Sequence, residues 1–179
     1  GLGGLGSNIA MYLARAGVGH LHLVDFDKVD ITNLNRQQYD IADLGTPKTD
    51  ALTKNIKRFN PFIEITSQCV KVNEDNAAEI FGGYKIVCEA FDKAENKAML
   101  VNSILSECGD TKIVSGSGMA GFGSSNTIVT RKINDRLYLC GDAESDMNDG
   151  LALAAPRVAI CAAHEANMIL RLLIGEKEV

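Results

Sequence analysis

The chain opens on Gly1-Leu2-Gly3-Gly4-Leu5-Gly6 and runs straight into an apolar stretch that sets Ile9, Leu13 and Ala16 on one helical face. Gly1, Gly3 and Gly6 match the G-x-G-x-x-G spacing, in which a strand turns tightly into a helix whose N-terminus receives a phosphate. Such a turn joins a parallel strand to its crossover helix, so this one feature confines the fold to α/β architectures. A buried first strand is accordingly expected ahead of Gly1. Backbone N–H groups at the turn, with the helix dipole, favour a bound anion by about 0.3–1 kcal/mol. That chemistry serves the pyrophosphate of NAD and the triphosphate of ATP alike. Asp25, at the end of the next strand and about twenty residues on, suits the ribose of either. On these residues alone an NAD-dependent oxidoreductase is favoured.

The pattern downstream keeps to strand–helix alternation. Ser7 is the expected N-cap of a helix over residues 7–17, and residues 20–26 read as a strand ending in acids. A helix from Lys48 to Phe59 stops before Pro61, and an extended stretch follows from Phe62. Asn73, with Asn76 and Glu79 behind it, looks like a capped helix start. A buried strand ends near Phe91, a helix runs from Lys93 to Glu107, and another strand leads into the glycine-rich turn after Ser115. Two short strands around Asn134-Asp135 read as a hairpin, and Pro156 opens the last helix. The expected fold is α/β: a Rossmann-like, doubly wound, mostly parallel sheet with a C-terminal antiparallel hairpin and a closing helix. It forms one domain over residues 1–179. The acidic run 141–150 is expected to be a solvated, flexible connection.

Composition narrows the function classes. A net charge of −5 argues against a nucleic-acid binder. The most apolar stretch, 151–175, carries Arg157, His164, Glu165 and Arg171, which suits a packed helix and not a bilayer crosser. The five cysteines form no C-x-x-C pair, so no structural zinc and no disulfide framework is expected, and a reducing cytoplasm is the simplest setting.

The segment after Asp25 turns the preference from NAD to ATP. A dehydrogenase would pass directly into another helix. Here a polar excursion clusters Asn33, Arg36 and Gln37 just past the ribose-binding acid, and Lys48 begins the following helix. Two cations near one strand end exceed what a pyrophosphate already held by backbone amides requires, whereas a triphosphate uses both. A lysine 4 Å from a phosphate charge contributes on the order of 4 kcal/mol at an effective dielectric of 20. The competing view of Arg36 and Lys48 as plain surface cations holds for each alone and weakens for the pair. Asp92, at the carboxyl end of a strand, lies where such sheets open their ligand crevice; its structural rival is a cap on the helix that follows.

The segments GLGGLGS, LVDFDKVDITNLNRQ, GTPK and CEAFDKAENKAM, in this order and spacing, resemble the ThiF/MoeB/HesA superfamily, relatives of the ubiquitin-activating enzymes. The stretches SGSGMAGFGSSNTIVTRKI and APRVAICAAHEAN look most like its short ThiF-like thiamine-biosynthesis branch. The resemblance implies adenylation of the C-terminal glycine carboxylate of a small ubiquitin-fold sulfur carrier (ThiS-like), using ATP and Mg2+ and releasing pyrophosphate. A molybdopterin-type carrier is the alternative. It further implies that Gly3 and Gly4 approach the nucleotide phosphates, that Asp25 binds the ribose, and that Asn33, Arg36 and Lys48 hold the triphosphate with Gln37 beside them. Asp92 would position magnesium, Lys97 stands where many relatives have an arginine, and a homodimer is expected.

Some members use a cysteine on a mobile loop in sulfur transfer. Cys140, just before the acidic run, is the candidate, although Asp142 and Glu144 disfavour its thiolate. Cys88 and Cys161 read as inert packing groups, and adenylation is expected to need no cysteine. His164 and Glu165 read as surface or interface residues, and His20 with His22 as a solvated or packed pair.

Overall fold

The structure, a computed structural model, describes residues 1–145 and 150–179. The glycine turn enters helix α1 (Gly4–Arg15) with Gly3 as its N-cap. This is earlier than expected: Ser7 lies inside the helix, its backbone N–H bonded to the Gly3 carbonyl at 3.0 Å. The turn is too tight for any side chain at Gly6, where a Cβ would fall 1.8 Å from the Gly1 carbonyl oxygen. Strand β1 (His20–Asp25) then pairs in parallel with β2 (Glu64–Cys69), the crossover being α2 (Lys48–Lys57). Helix α2 ends before the expected Phe59, with Arg58 as its C-cap. Between them, two short 3-10 turns (Ile31–Asn33 and Ile41–Asp43) are each closed by a capping box, from Asp30 and from Asp40.

The second half begins with α3 (Glu74–Phe81), where Asn73 and Asn76 cap reciprocally as the sequence indicates. Strand β3 (Ile86–Glu89), helix α4 (Ala94–Glu107) and strand β4 (Lys112–Gly116) form a further parallel crossover unit. The hairpin of β5 (Val129–Lys132) and β6 (Leu137–Gly141) is antiparallel, and β6 also pairs in parallel with β4. Helix α5 (Ala155–Leu173) carries Pro156 in its first turn, where the missing N–H costs nothing. Of the acidic run, 146–149 lie outside the described residues.

The strands form a β1-β2 pair and a four-stranded sheet in the order β3-β4-β6-β5. An apolar cavity of about 240 Å³ is lined by both β1 (His20–Val24) and β3 (Ile86–Cys88), with Leu13 of α1 and Ile169 of α5 also on its walls. Helices α1 and α5 pack together through Leu5, Ile9, Leu13, Val158, Cys161 and Ile169. On the β1 side, Leu23, Leu52 and Ile56 are buried together, and under α4 so are Val87, Leu100, Ile104 and Ile113. Each such side chain contributes roughly 1.5–3 kcal/mol by leaving water. Among the described residues, no helix is long and apolar enough to cross a membrane.

Candidate functional site

The strand tips converge on the glycine turn. Asp25, buried at the end of β1, accepts from the Leu2 backbone N–H at 2.5 Å through Oδ2 and from that of Asp27 at 2.8 Å through Oδ1. Each oxygen keeps a lone pair for a ribose hydroxyl. On the other side, a Cβ at Gly1 would lie 2.8 Å from the Ala90 carbonyl oxygen, just past β3. The turn thus sits between the ends of β1 and β3, the position that the strand–turn–helix reading requires.

The polar excursion after β1 folds over this turn. The Tyr39 hydroxyl donates to the Leu2 carbonyl at 2.8 Å. A Cβ at Gly3 would lie 3.7 Å from Gln37 Nε2, and one at Gly4 would lie 3.6 Å from Arg36 Nε and 3.1 Å from Val158 Cγ1. Arg36 Nη1 donates to the Thr32 carbonyl at 3.1 Å and to Asn35 Oδ1 at 2.8 Å. Its Nε and the Gln37 Oε1 are shielded from solvent and, among the described residues, have no hydrogen-bond partner. An unsatisfied buried polar group costs about 1–3 kcal/mol, and a guanidinium N–H beside a glycine turn has the chemistry to receive an anion. Asn33 spends its Oδ1 on the Asp30 backbone N–H at 3.0 Å, closing the first 3-10 turn.

Lys48 and Asp92 stand on opposite flanks. Lys48, buried at the start of α2, bonds the half-exposed Asp27 at 3.2 Å, two residues beyond the Asp25 tip. Asp92 is exposed two residues beyond Ala90. It does not cap α4, whose N-cap is Lys93 with no side-chain cap bond. A recess of about 370 Å³ opens beside Arg36 and Gln37, walled by Asn8, Tyr12 and the first turn of α5; neither Lys48 nor Asp92 lines it. The structure therefore brings together Gly3, Gly4, Asp25, Arg36 and Gln37, and leaves Lys48 and Asp92 on either side of that group. Among the described residues, no three His, Cys, Asp or Glu side chains converge as a metal cage. Asp92 is an exposed single carboxylate, a donor of the kind that a cation could share with phosphate and water.

Beneath β3 and β4 lies a second polar cluster that the sequence does not announce. Glu89, fully buried, accepts from the Phe91 backbone N–H at 2.6 Å, from Lys97 Nζ at 2.9 Å and from the Ser115 hydroxyl. Lys97 is thus committed to Glu89. Glu165 is a correction: expected at the surface, it is fully buried, because α5 turns this face onto β3 and β6. Burial pushes its carboxyl up to about 8, against the opposing pull of Lys97. The thiols of Cys88 and Cys161 approach its two oxygens at 3.6 and 3.7 Å. Its neighbour His164 is half-buried on Thr130 Oγ1 at 3.1 Å.

Cys140 is a second correction. It lies within β6, fully buried, not on a mobile loop, and burial pushes its thiol up to about 12. Cys161 and Cys88 are raised by the same desolvation, in keeping with inert packing groups. His20 and His22 share Thr66 Oγ1 at 3.1 and 2.7 Å, and His22 stacks on Tyr84, which is the packed reading of the pair.

Comparison with known proteins fits this geometry. The chain is 34% identical over 143 residues to the molybdopterin-synthase adenylyltransferase of Salmonella typhimurium, a match covering 78% of this chain and 55% of that protein. It is 37% identical over 120 residues to the adenylyltransferase and sulfurtransferase UBA4 of Eremothecium gossypii, covering 66% of this chain and 27% of that one. The chain spans about half the length of the first relative and about a quarter of the second. Among solved structures, the E. coli tRNA N6-threonylcarbamoyladenosine dehydratase TcdA in complex with ATP superposes with a TM-score of 0.86 at 24% identity, covering 97% of this chain and 83% of that one. E. coli MccB with ATP does so with a TM-score of 0.73 at 21% identity, covering 99% and 55%. These two show that the fold is shared. The model of the ThiF family matches residues 1–179, and the chain belongs to that family.

Proposed function

We propose that this chain is the ATP-binding adenylation domain of an adenylyltransferase that activates the C-terminal glycine carboxylate of a small ubiquitin-fold sulfur carrier. The observation that carries the reading is the Arg36 guanidinium, lying beside Gly4 with its Nε unpartnered while Asp25 is fixed against Leu2. The adenylyltransferase names of the sequence relatives support it. So do the ATP complexes of two proteins that share the fold.

The chemistry asks little of acid–base groups. The carrier carboxylate is already ionised at neutral pH and attacks the α-phosphorus directly; the bond to the β-phosphate oxygen breaks and pyrophosphate leaves with the electron pair. The protein must align the two reactants and neutralise charge on the departing group. Gly3 and Gly4 let backbone amides approach the phosphates, Asp25 orients the ribose, and Asn33, Arg36, Gln37 and Lys48 meet the triphosphate. Lys48 is held ready by Asp27, a half-exposed partner that a phosphate would replace. Asp92 would hold Mg2+, which when bound offsets negative charge on the phosphates.

The carrier is proposed to be ThiS-like, serving thiamine thiazole synthesis, on the strength of the C-terminal segments that resemble that branch. The molybdopterin-type carrier is the alternative, which the name of the Salmonella relative favours. A cytoplasmic homodimer belongs to the same proposal, with five free cysteines in support of a reducing compartment.

ATP–pyrophosphate exchange by the full-length protein, assayed with each candidate carrier ending in Gly-Gly, tests the proposal. Exchange that depends on a carrier supports it and identifies which one. NADH binding that ATP does not compete would return the glycine turn to a dehydrogenase. ATP binding with no exchange under any carrier would leave a nucleotide-binding module without turnover.

A further inference from the structure

Two polar side chains on the first turns of α1 are buried without being part of the expected site. Ser7 and Asn8 are 0% and 3% exposed, in a helix whose other inward positions are apolar or glycine. Ser7 Oγ donates to the Gly3 carbonyl at 2.6 Å and accepts from the Gln38 backbone N–H at 3.1 Å. Asn8 Nδ2 donates to the Gly4 carbonyl at 2.7 Å and to the Arg36 carbonyl at 3.1 Å, while its Oδ1 accepts from Gln38 Nε2 at 2.7 Å. Every one of these bonds joins the glycine turn to residues 36–38 or braces the turn itself.

The arrangement separates two jobs. The Arg36 backbone is fixed through its carbonyl, by Asn8. Among the described residues, the Arg36 Nε beside Gly4 has no protein partner. Asn at a helix interior position normally has a cheaper place at a cap or in a turn, so its burial here calls for a local reason. The bonds to residues 36 and 38 supply that reason.

We propose that Asn8 and Ser7 are positioning residues that hold Arg36 at the glycine turn, so that its guanidinium meets the phosphates of the nucleotide without a conformational search. The inference rests on the ATP-binding reading above. It extends that reading by assigning phosphate affinity to residues that touch no phosphate. Loss of the Asn8 amide leaves the Arg36 carbonyl without its donor and frees the segment to move. The cost falls on phosphate contacts and not on the ribose, which Asp25 holds separately.

Calorimetric titration of the full-length protein with MgATP and, separately, with adenosine tests this, alongside thermal unfolding of every variant. For Asn8→Ala the expected result is at least a tenfold loss of ATP affinity with adenosine affinity within twofold of wild type. In an Arg36→Ala background, the additional loss on Asn8→Ala should shrink to within twofold, because the residue acts through Arg36. Gln38→Ala, which removes a single bond of the same set from a half-buried position, should shift ATP affinity in the same direction by a smaller factor. If both Asn8→Ala and Gln38→Ala bind ATP as the wild type does, or if ATP and adenosine weaken equally, the positioning role is overturned. If Asn8→Ala adds its full loss in the Arg36→Ala background, the role is also overturned. If the wild type binds no ATP at all, the functional reading itself fails, an outcome distinct from these.

Discussion

The glycine-turn region and the α5 region both bury polar groups, and they do so in opposite ways. Around the turn, Ser7, Asn8 and Asp25 are engaged by backbone N–H and carbonyl groups, so burial costs little and fixes geometry. Under α5, Glu165 has weak thiol donors at its oxygens, and desolvation dominates its titration. The first arrangement satisfies its polar groups and, among the described residues, leaves the Arg36 Nε without a hydrogen-bond partner. The second disfavours the charged form of a buried carboxyl.

The largest effect that sharpens this contrast lies at Arg157, a charged residue of α5 that behaves like the cradle. It donates to the Ala120, Gly123 and Ser124 carbonyls at 3.2, 2.9 and 2.7 Å and pairs with Asp142. Burial raises the Asp142 carboxyl, yet the Ser145 and Glu144 backbone N–H groups, the Ser145 hydroxyl and Arg157 together hold it down at about 2. Arg157→Ala leaves that carboxylate and several carbonyls unmatched. It should cost about 3–5 kcal/mol in denaturant unfolding. A loss below about 1 kcal/mol would show that these bonds merely accompany the fold.

A smaller effect separates Glu165. Its folded value, about 8, lies above the ordinary 4.5, so rising pH strips the proton from the unfolded chain first. The stability it contributes is complete below about 4.5, declines as pH rises, and levels off above about 8. Across that window Glu165 gives the wild type a downward slope of stability against pH. Glu165→Gln should flatten it, so the variant gains on the wild type as pH rises from 5 to 8. Parallel pH–stability curves for the two proteins would contradict the burial account.

The smallest effect concerns sulfur. Cys69 is exposed, whereas Cys108, Cys140 and Cys161 are buried and Cys88 lies against Glu165. Iodoacetamide should modify Cys69 first in the native protein. Cys140→Ala should leave carrier-dependent exchange within twofold of wild type. Rapid labelling of Cys140 would reopen its role as a sulfur acceptor.

Much of the fold was legible because it is local. Glycine spacing, capping asparagines and the Asn134-Asp135 hairpin signal each act within a few residues, and the matching elements form where those signals stand. α1 starts ahead of the Ser7 cap signal because the glycine turn itself enters the helix. Cys140 stands beside a loop-like acidic run in the sequence, and nothing local says that α5 covers β6. Glu165 carried a signal that chemistry outweighed: Val158, Cys161, Glu165 and Ile169 share one face at helical spacing, and that face is buried. Asn8 carries no local signal because its partners lie about thirty residues away, at Arg36 and Gln38. At the site itself, Arg36 and Gln37 were legible from their nearness to Asp25. The separation of Lys48 from Asp92 was not, because it depends on how far β1 and β3 stand apart.

The account stands or falls on whether the strand-tip residues serve a triphosphate. Carrier-dependent ATP–pyrophosphate exchange should be lost, by at least a hundredfold, in both Arg36→Ala and Asp92→Ala, with unfolding midpoints unchanged. Wild-type exchange rates in either folded variant would contradict the role given to that residue, and in both would contradict the account.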